Sequence, residues 1–210
     1  GFFRMLQPRR WGGYEVHPRI FFDTQVALAE GDMSVGWLHG TLGMLAGQLG
    51  LFDDRAAREV WRWGDAPETL VCSSFMPAGR AVRANDGFRL RGHWKYASGA
   101  DYGEWSILGG VVAGEQDAPA EPRMFLLPRS DFKVVDTWHV CGLQATGSKD
   151  IVVEDAFVPN YRTHRVIDNT RCTGPGQTAN AGPLYRMPYF QMFFRSTSCA
   201  SIGALATMLD

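Results

Sequence analysis

Trp94, Tyr96 and Ser98 recur at every second position in the segment Gly-His-Trp-Lys-Tyr-Ala-Ser-Gly-Ala-Asp-Tyr-Gly-Glu-Trp, residues 92–105. On a regular strand, residues two apart share a face. That face would carry two flat aromatic surfaces and end in a hydroxyl, a wall suited to a planar heterocycle with one polar ring atom to satisfy. An ordinary half-buried strand has the same pattern, because aromatic residues favour strands in any case. A second polar cluster, Thr146-Gly147-Ser148, offers hydroxyls and backbone N–H groups in a glycine turn. Such a turn can hold a substrate or a cofactor phosphate, and turn formation alone accounts for it equally well. His17, His39, His93, His139 and His164 show no ligand spacing. Cys72, Cys141, Cys172 and Cys199 are far apart with no Cys-x-x-Cys pair, so they read as reduced thiols and no metal site is expected.

The elements that must position these groups follow from the apolar pattern. Residues 1–18 are rich in aromatic and basic side chains and turn at Gly12-Gly13. Residues 21–30 read as helix, and residues 34–52 are apolar and dense in glycine, at 36, 40, 43, 47 and 50. Glycines three and four apart on a helix leave a bare stripe for another backbone or for a flat ligand. Asp53-Asp54 caps the next helix, which is expected to end at Gly64 before Pro67. Beyond Pro67 come short apolar or alternating runs at 70–74, 87–96, 105–112, 123–127, 132–135 and 151–153. Gly, Pro and Asp break them, and Asn85-Asp86-Gly87 marks a hairpin turn, which predicts an antiparallel sheet or small barrel. Residues 168–188 read as a loop and residues 192–210 as helix. The fold class is α+β with segregated layers. Four regions are expected: an N-terminal helical domain (1–69), a middle β domain (70–165), a linker loop (166–191) and the first helix of a C-terminal bundle (192–210).

With 45% hydrophobic and 20% charged residues the composition is that of an ordinary globular chain. A net charge of −1 provides no electrostatic footprint for nucleic acid and no polybasic patch for a membrane. Neither an eighteen-residue apolar run nor a signal peptide is present, so a cytoplasmic location is expected. The start at Gly1 rather than Met and the stop within an apolar run, residues 202–209, suggest a fragment of a longer chain.

The order of elements, together with three motifs, resembles the acyl-CoA dehydrogenase fold, and within it the oxygenases of two-component flavin-dependent monooxygenases, the p-hydroxyphenylacetate and seco-steroid hydroxylase branch. The motifs are Cys72-Ser73-Ser74-Phe75-Met76-Pro77-Ala78-Gly79-Arg80-Ala81, the aromatic segment 92–105, and the run from Gly142-Leu143-Gln144-Ala145-Thr146-Gly147-Ser148 through Val158-Pro159. Acyl-CoA dehydrogenases carry Thr-Glu-Pro-Gly where this chain has Ser74-Phe75-Met76-Pro77, and Trp-Ile-Thr-Asn at Tyr96-Ala97-Ser98-Gly99. Many phenol hydroxylases of the branch have His-Pro-Trp-Gln where Leu45-Ala46-Gly47-Gln48 stands, leaving His39 as a partial substitute for that histidine.

The resemblance implies an acyl-CoA dehydrogenase-like architecture with an N-terminal helical segment, a middle antiparallel β-barrel domain and the start of a C-terminal helical bundle. It implies an oxygenase component that takes reduced FMN or FAD from a separate NAD(P)H flavin reductase, reacts it with O₂ to a C4a-hydroperoxide, and hydroxylates a phenolic or related small molecule. A homotetramer is implied as well. Rival readings are a CoA-ester dehydrogenase, an N- or S-oxygenase and an inactive fragment. In the family's terms Ser98 would contact flavin N5, Tyr96 and Trp94 would flank the ring, and Ser74 would bond its pyrimidine side. Thr146 and Ser148 would add cofactor contacts. Trp37 and His39, on the glycine-rich helix beside the site, would meet substrate, with His39 as acid or base. Arg186 and Arg195 are further candidates for stabilising negative charge on the reduced ring.

Overall fold

The computed structural model describes residues 1–62, 65–114 and 119–209. After 3-10 turns at Phe2–Arg4 and Arg9–Trp11 come three α-helices, each with its own start signal. Helix α1 spans Pro18–Gly31, with Pro18 at its first position and the His17 ring accepting from the Arg19 N–H. Helix α2 spans Met33–Leu49 and is capped by Asp32, whose carboxylate accepts from Val35 N at 3.0 Å. Helix α3, Asp54–Trp61, is capped by Asp53 and ends with Arg62 in the left-handed region. The expected stop at Gly64 lies outside the described residues.

Seven strands follow: β1 Val71–Ala84, β2 Gly87–Ala97, β3 Trp105–Val112, β4 Glu121–Pro128, β5 Lys133–Val135, β6 Lys149–Pro159 and β7 Thr163–Arg165. They form one sheet in the order β5-β6-β2-β1-β3-β4-β7. The expectation of a wholly antiparallel sheet is corrected at its centre, where β1 and β3 run parallel. The reason is topological: β1 and β2 form a hairpin through Asn85-Asp86, and the chain then crosses to the other side of β1 instead of continuing as a meander. Asp86 takes the positive φ of 58° that this tight turn requires.

Both faces of β3 and β4 are buried, which explains why their sequences read as near-continuous apolar runs. Leu108, Phe125 and Leu127 face a cluster with Phe88, Leu90, Trp94 and Ile151. Ile107, Met124 and Leu126 face the helices and pack with Leu42, Leu45, Leu49, Val60 and Trp61. The period of two thus sorts one strand between two cores.

Residues 168–188, expected as loop, contain regular structure. Helix α4 spans Val166–Arg171 and α5 spans Pro175–Ala179, with a 3-10 turn at Pro183–Arg186. Elements this short, α5 and the 3-10 turn among them opened by prolines, give little periodic signal, so glycine and proline content alone misleads there. The last helix, α6, covers Tyr189–Thr207. It is tied to α1 and α2 by buried amides and hydroxyls: Gln25 donates to the carbonyls of Gly36 and Ser196, and Ser196 Oγ donates to Gln25 Oε1 at 2.9 Å. The glycine stripe serves this helix packing. A Cβ on Gly36 would meet Ala29 at 2.5 Å, and one on Gly40 would meet Gln25 at 2.0 Å.

Candidate functional site

A cavity of about 450 Å³ opens where β1, the end of β2, α2 and α6 converge. Helix α2 contributes Trp37, Thr41 and Leu45, spaced four apart and therefore stacked on one face. From α6 come Phe190, Phe193 and Phe194, again at helical spacing. Phe75 of β1 packs edge-on against Phe193, with ring centroids 4.4 Å apart. The polar wall is Ser73, Ser74, Lys95 and Ser98. Ser74 Oγ donates to the Lys95 carbonyl at 2.8 Å, which fixes β1 against β2 beside the cavity.

Tyr96 and Ser98 reach this cavity and Trp94 does not. The Trp94 side chain is fully buried in the sheet core, and its indole N–H donates to the Gly109 carbonyl at 2.6 Å. The expected common face for the three residues is therefore corrected. Between the pairs Trp94↔Ile151 and Ala97↔Lys149, β2 advances three residues while β6 advances two. The extra residue is a β-bulge, and it ends the alternation that the sequence pattern assumes. Tyr96 sits in the bulge with φ 61° and is 67% exposed. A non-glycine residue in the left-handed region is strained, and such strain gathers at ligand sites. The ring stands edge-on to Trp138 at 6.2 Å, so it borders the cavity without filling it.

His39 is a second correction. It lies two residues after Trp37, about 200° around the helix, so the two cannot share a face. Its ring stacks on Phe21 at 4.5 Å between α1 and α2, away from the cavity lining. Both ring nitrogens are buried without a hydrogen-bond partner. Burial holds its pKa down at about 4, so the imidazole is neutral at physiological pH. It is absent from the cavity lining.

Thr146 and Ser148 are also placed differently from the expectation of direct ligand contact. Both are buried and neither lines the cavity. They stand behind Ser98 in a chain of hydroxyls: Ser98 Oγ to Ser148 Oγ is 2.8 Å, Ser148 Oγ to Thr146 Oγ1 is 2.6 Å, and Thr146 Oγ1 donates to the Leu143 carbonyl at 2.8 Å. On the other side, the Trp37 indole N–H donates to Ser98 Oγ at 2.9 Å. Gly147, with φ 51°, turns the chain between the two hydroxyls. The adjoining Lys149 ammonium is 3.0 Å from Asp101 and 3.4 Å from Asp136, and these ion pairs anchor the turn. Arg186 and Arg195 are exposed and outside the lining.

The sequence reading missed Thr41, Leu45, Lys95 and the α6 phenylalanines as lining residues. Two of these groups carried a legible signal, namely the four-residue spacing from Trp37 and the i, i+3, i+4 spacing of Phe190, Phe193 and Phe194. Among the described residues that line the cavity, Lys95 alone carries a formal charge. A volume of this size, aromatic on two sides and with a few convergent polar atoms, fits a planar heteroaromatic ring.

No family model matches the chain. It is 40% identical over 217 residues to a pigment production hydroxylase of Rhodococcus erythropolis, a match covering 100% of the chain and 54% of that relative. It is 37% identical over 203 residues to the flavin-dependent monooxygenase oxygenase subunit HsaA of Mycobacterium tuberculosis, covering 97% of the chain and 51% of the relative. The crystal structure of 3-HSA hydroxylase from Rhodococcus sp. RHA1 superposes with a TM-score of 0.93 at 34% identity, over 98% of this chain and 52% of that one. In sequence and fold, the chain is similar to flavin-dependent monooxygenase oxygenase subunits and hydroxylases. It spans about half the length of the curated relatives it matches. One of these relatives is named an oxygenase subunit and the other two hydroxylases, in keeping with the oxygenase branch that the three motifs resemble. All four cysteines are free thiols. Among the described residues no cluster is suited to a metal ion, and no helix is long and apolar enough to cross a membrane.

Proposed function

We propose that the protein carrying this chain is the oxygenase component of a two-component flavin-dependent monooxygenase, hydroxylating an electron-rich aromatic small molecule, and that the cavity seats the flavin ring. The observation that carries this reading is the pairing of Ser98 Oγ, at the polar end of the cavity, with aromatic walls on α2 and α6. When bound, reduced flavin supplies the two electrons that activate O₂ for oxygen transfer.

This chain's residues have separable parts in that chemistry. Phe75, Phe190 and Phe193 keep water from the ring, which limits wasteful release of peroxide. Tyr96 offers a π face at the rim. Ser98 holds a hydrogen bond at the ring edge bearing N5, and Ser74, whose proton is taken by the Lys95 carbonyl, accepts from an N–H on the pyrimidine side. Reduced FMN or FAD, O₂, a separate NAD(P)H flavin reductase and a homotetrameric assembly complete the proposal.

Mixing the protein anaerobically with reduced FMN or FAD and then with oxygenated buffer tests it. Bound flavin is expected to reoxidise more slowly than free flavin, with less hydrogen peroxide released once an electron-rich phenol is present. Reoxidation at the rate of free flavin, with peroxide formed in equal amount, refutes the reading.

A further inference from the structure

The hydroxyl chain behind Ser98 has one internally consistent arrangement of protons. Its three O···O contacts, Ser98–Ser148, Ser148–Thr146 and Thr146–Leu143 carbonyl, are 2.8, 2.6 and 2.8 Å long, so each needs a proton between its oxygens. A carbonyl has none to give, and the three hydroxyls hold one each. Thr146 must therefore donate to Leu143, Ser148 to Thr146, and Ser98 to Ser148. Ser98 has then spent its proton, and one of its two lone pairs receives the Trp37 N–H at 2.9 Å. What it turns toward the cavity is a single lone pair, an acceptor.

We infer that Ser148 and Thr146 are positioning residues that make Ser98 an acceptor at rest and so bias the cavity toward the reduced form of the flavin. The inference rests on the flavin reading of the cavity. Reduced flavin carries a proton on N5 and donates there, while oxidised flavin has a bare N5 that only accepts. To serve the oxidised ring, all three hydroxyls must reverse, and the Thr146–Leu143 contact loses its proton. Leu143 keeps the N–H groups of Thr146 and Trp138 at 3.1 and 3.0 Å, so reversal costs one hydrogen bond and no orphaned carbonyl. One net hydrogen bond corresponds to about a fivefold preference.

The test is anaerobic equilibrium titration of the protein with oxidised and with reduced FMN and FAD, comparing the ratio of the two Kd values. Ser148→Ala frees the Ser98 proton to enter the cavity, and Thr146→Val removes the anchor of the chain. Each is expected to lower the oxidised-to-reduced Kd ratio about fivefold, mostly by tightening the oxidised form. In a Ser98→Ala background, adding Ser148→Ala is expected to leave the ratio unchanged. A merely structural role would weaken both redox forms together. If both forms bind and neither variant moves the ratio, or if the shift persists without Ser98, the inference is overturned while the flavin reading stands. If neither redox form binds the unmodified protein, both fall. Two variants on different residues keep the test decisive should one of them not fold, as judged by circular dichroism.

Discussion

Replacing His39 with leucine tests both where that side chain sits and what its burial costs. The unfolded chain takes up a proton on this histidine below its ordinary pKa of 6.5, while the folded protein refuses it until about 4. A depressed histidine pKa makes the fold lose stability as pH falls through that window, because the unfolded state then binds more protons. At about pH 5 the linkage amounts to ~2 kcal/mol for this residue, against a few tenths at about pH 7. Neither ring nitrogen has a hydrogen-bond partner, so leucine removes no bond, and it keeps an apolar contact with Phe21. Urea unfolding of the wild type and His39→Leu at the two pH values is the assay. The variant is expected to be at least as stable at neutral pH and to lose ~2 kcal/mol less on acidification. His164, also held at about 4, continues to contribute in both proteins, so some acid sensitivity remains. Equal losses in the two proteins would refute the reasoning, because an imidazole that titrates freely in the fold creates no such linkage. A large fall in flavin affinity in the variant would refute the placement of His39 away from the cavity.

Two further substitutions separate the sheet core from the cavity wall. Trp94→Phe removes the buried donor to the Gly109 carbonyl and is expected to cost ~2 kcal/mol in urea unfolding with no change in flavin Kd; a selective loss of flavin binding would return Trp94 to the site. Tyr96→Gly relieves a left-handed residue by ~1 kcal/mol, offset by a comparable gain in unfolded-chain freedom, so stability should stay nearly level. Flavin affinity, by contrast, is expected to drop about fivefold or more with the lost ring face; a protein that instead unfolds more readily by over ~2 kcal/mol would assign the ring to packing against Trp138.

Much of the frame was legible because it rests on local rules. Asp53 caps α3, Asn85-Asp86-Gly87 turns the hairpin, and each apolar run from 70–74 to 151–153 lies on a strand. Ser98 was singled out by its place after an aromatic strand and by the resemblance, and the structure puts it in the cavity lining. The lining from α6 was less so: Phe190, Phe193 and Phe194 have helical spacing, but spacing alone does not say which neighbour the stripe faces. The parallel pairing of β1 with β3 is set by where the chain crosses after β2, which no local pattern encodes.

The deeper miss lies in the use of periodicity at a site. Assigning Trp94, Tyr96 and Ser98 to one face presumes an unbroken pleat, and a single extra residue transfers everything beyond it to the other register. A bulge centred on glycine announces itself, because glycine favours positive φ; Tyr96 adopts that conformation with a side chain that disfavours it, leaving no sign in the sequence. The same bulge that hides the geometry also produces it. It leaves Trp94 in the core on the regular alternation, turns Tyr96 outward, and delivers the Ser98 oxygen within 2.9 Å of the Trp37 indole and 2.8 Å of Ser148. A regular strand would have left Ser98 paired in the sheet or facing the core, where its lone pair could not meet a ligand. Local strain at Tyr96 and the acceptor state of Ser98 are therefore two consequences of one backbone irregularity, and relaxing the first without disturbing the second is the narrow condition that Tyr96→Gly sets out to meet.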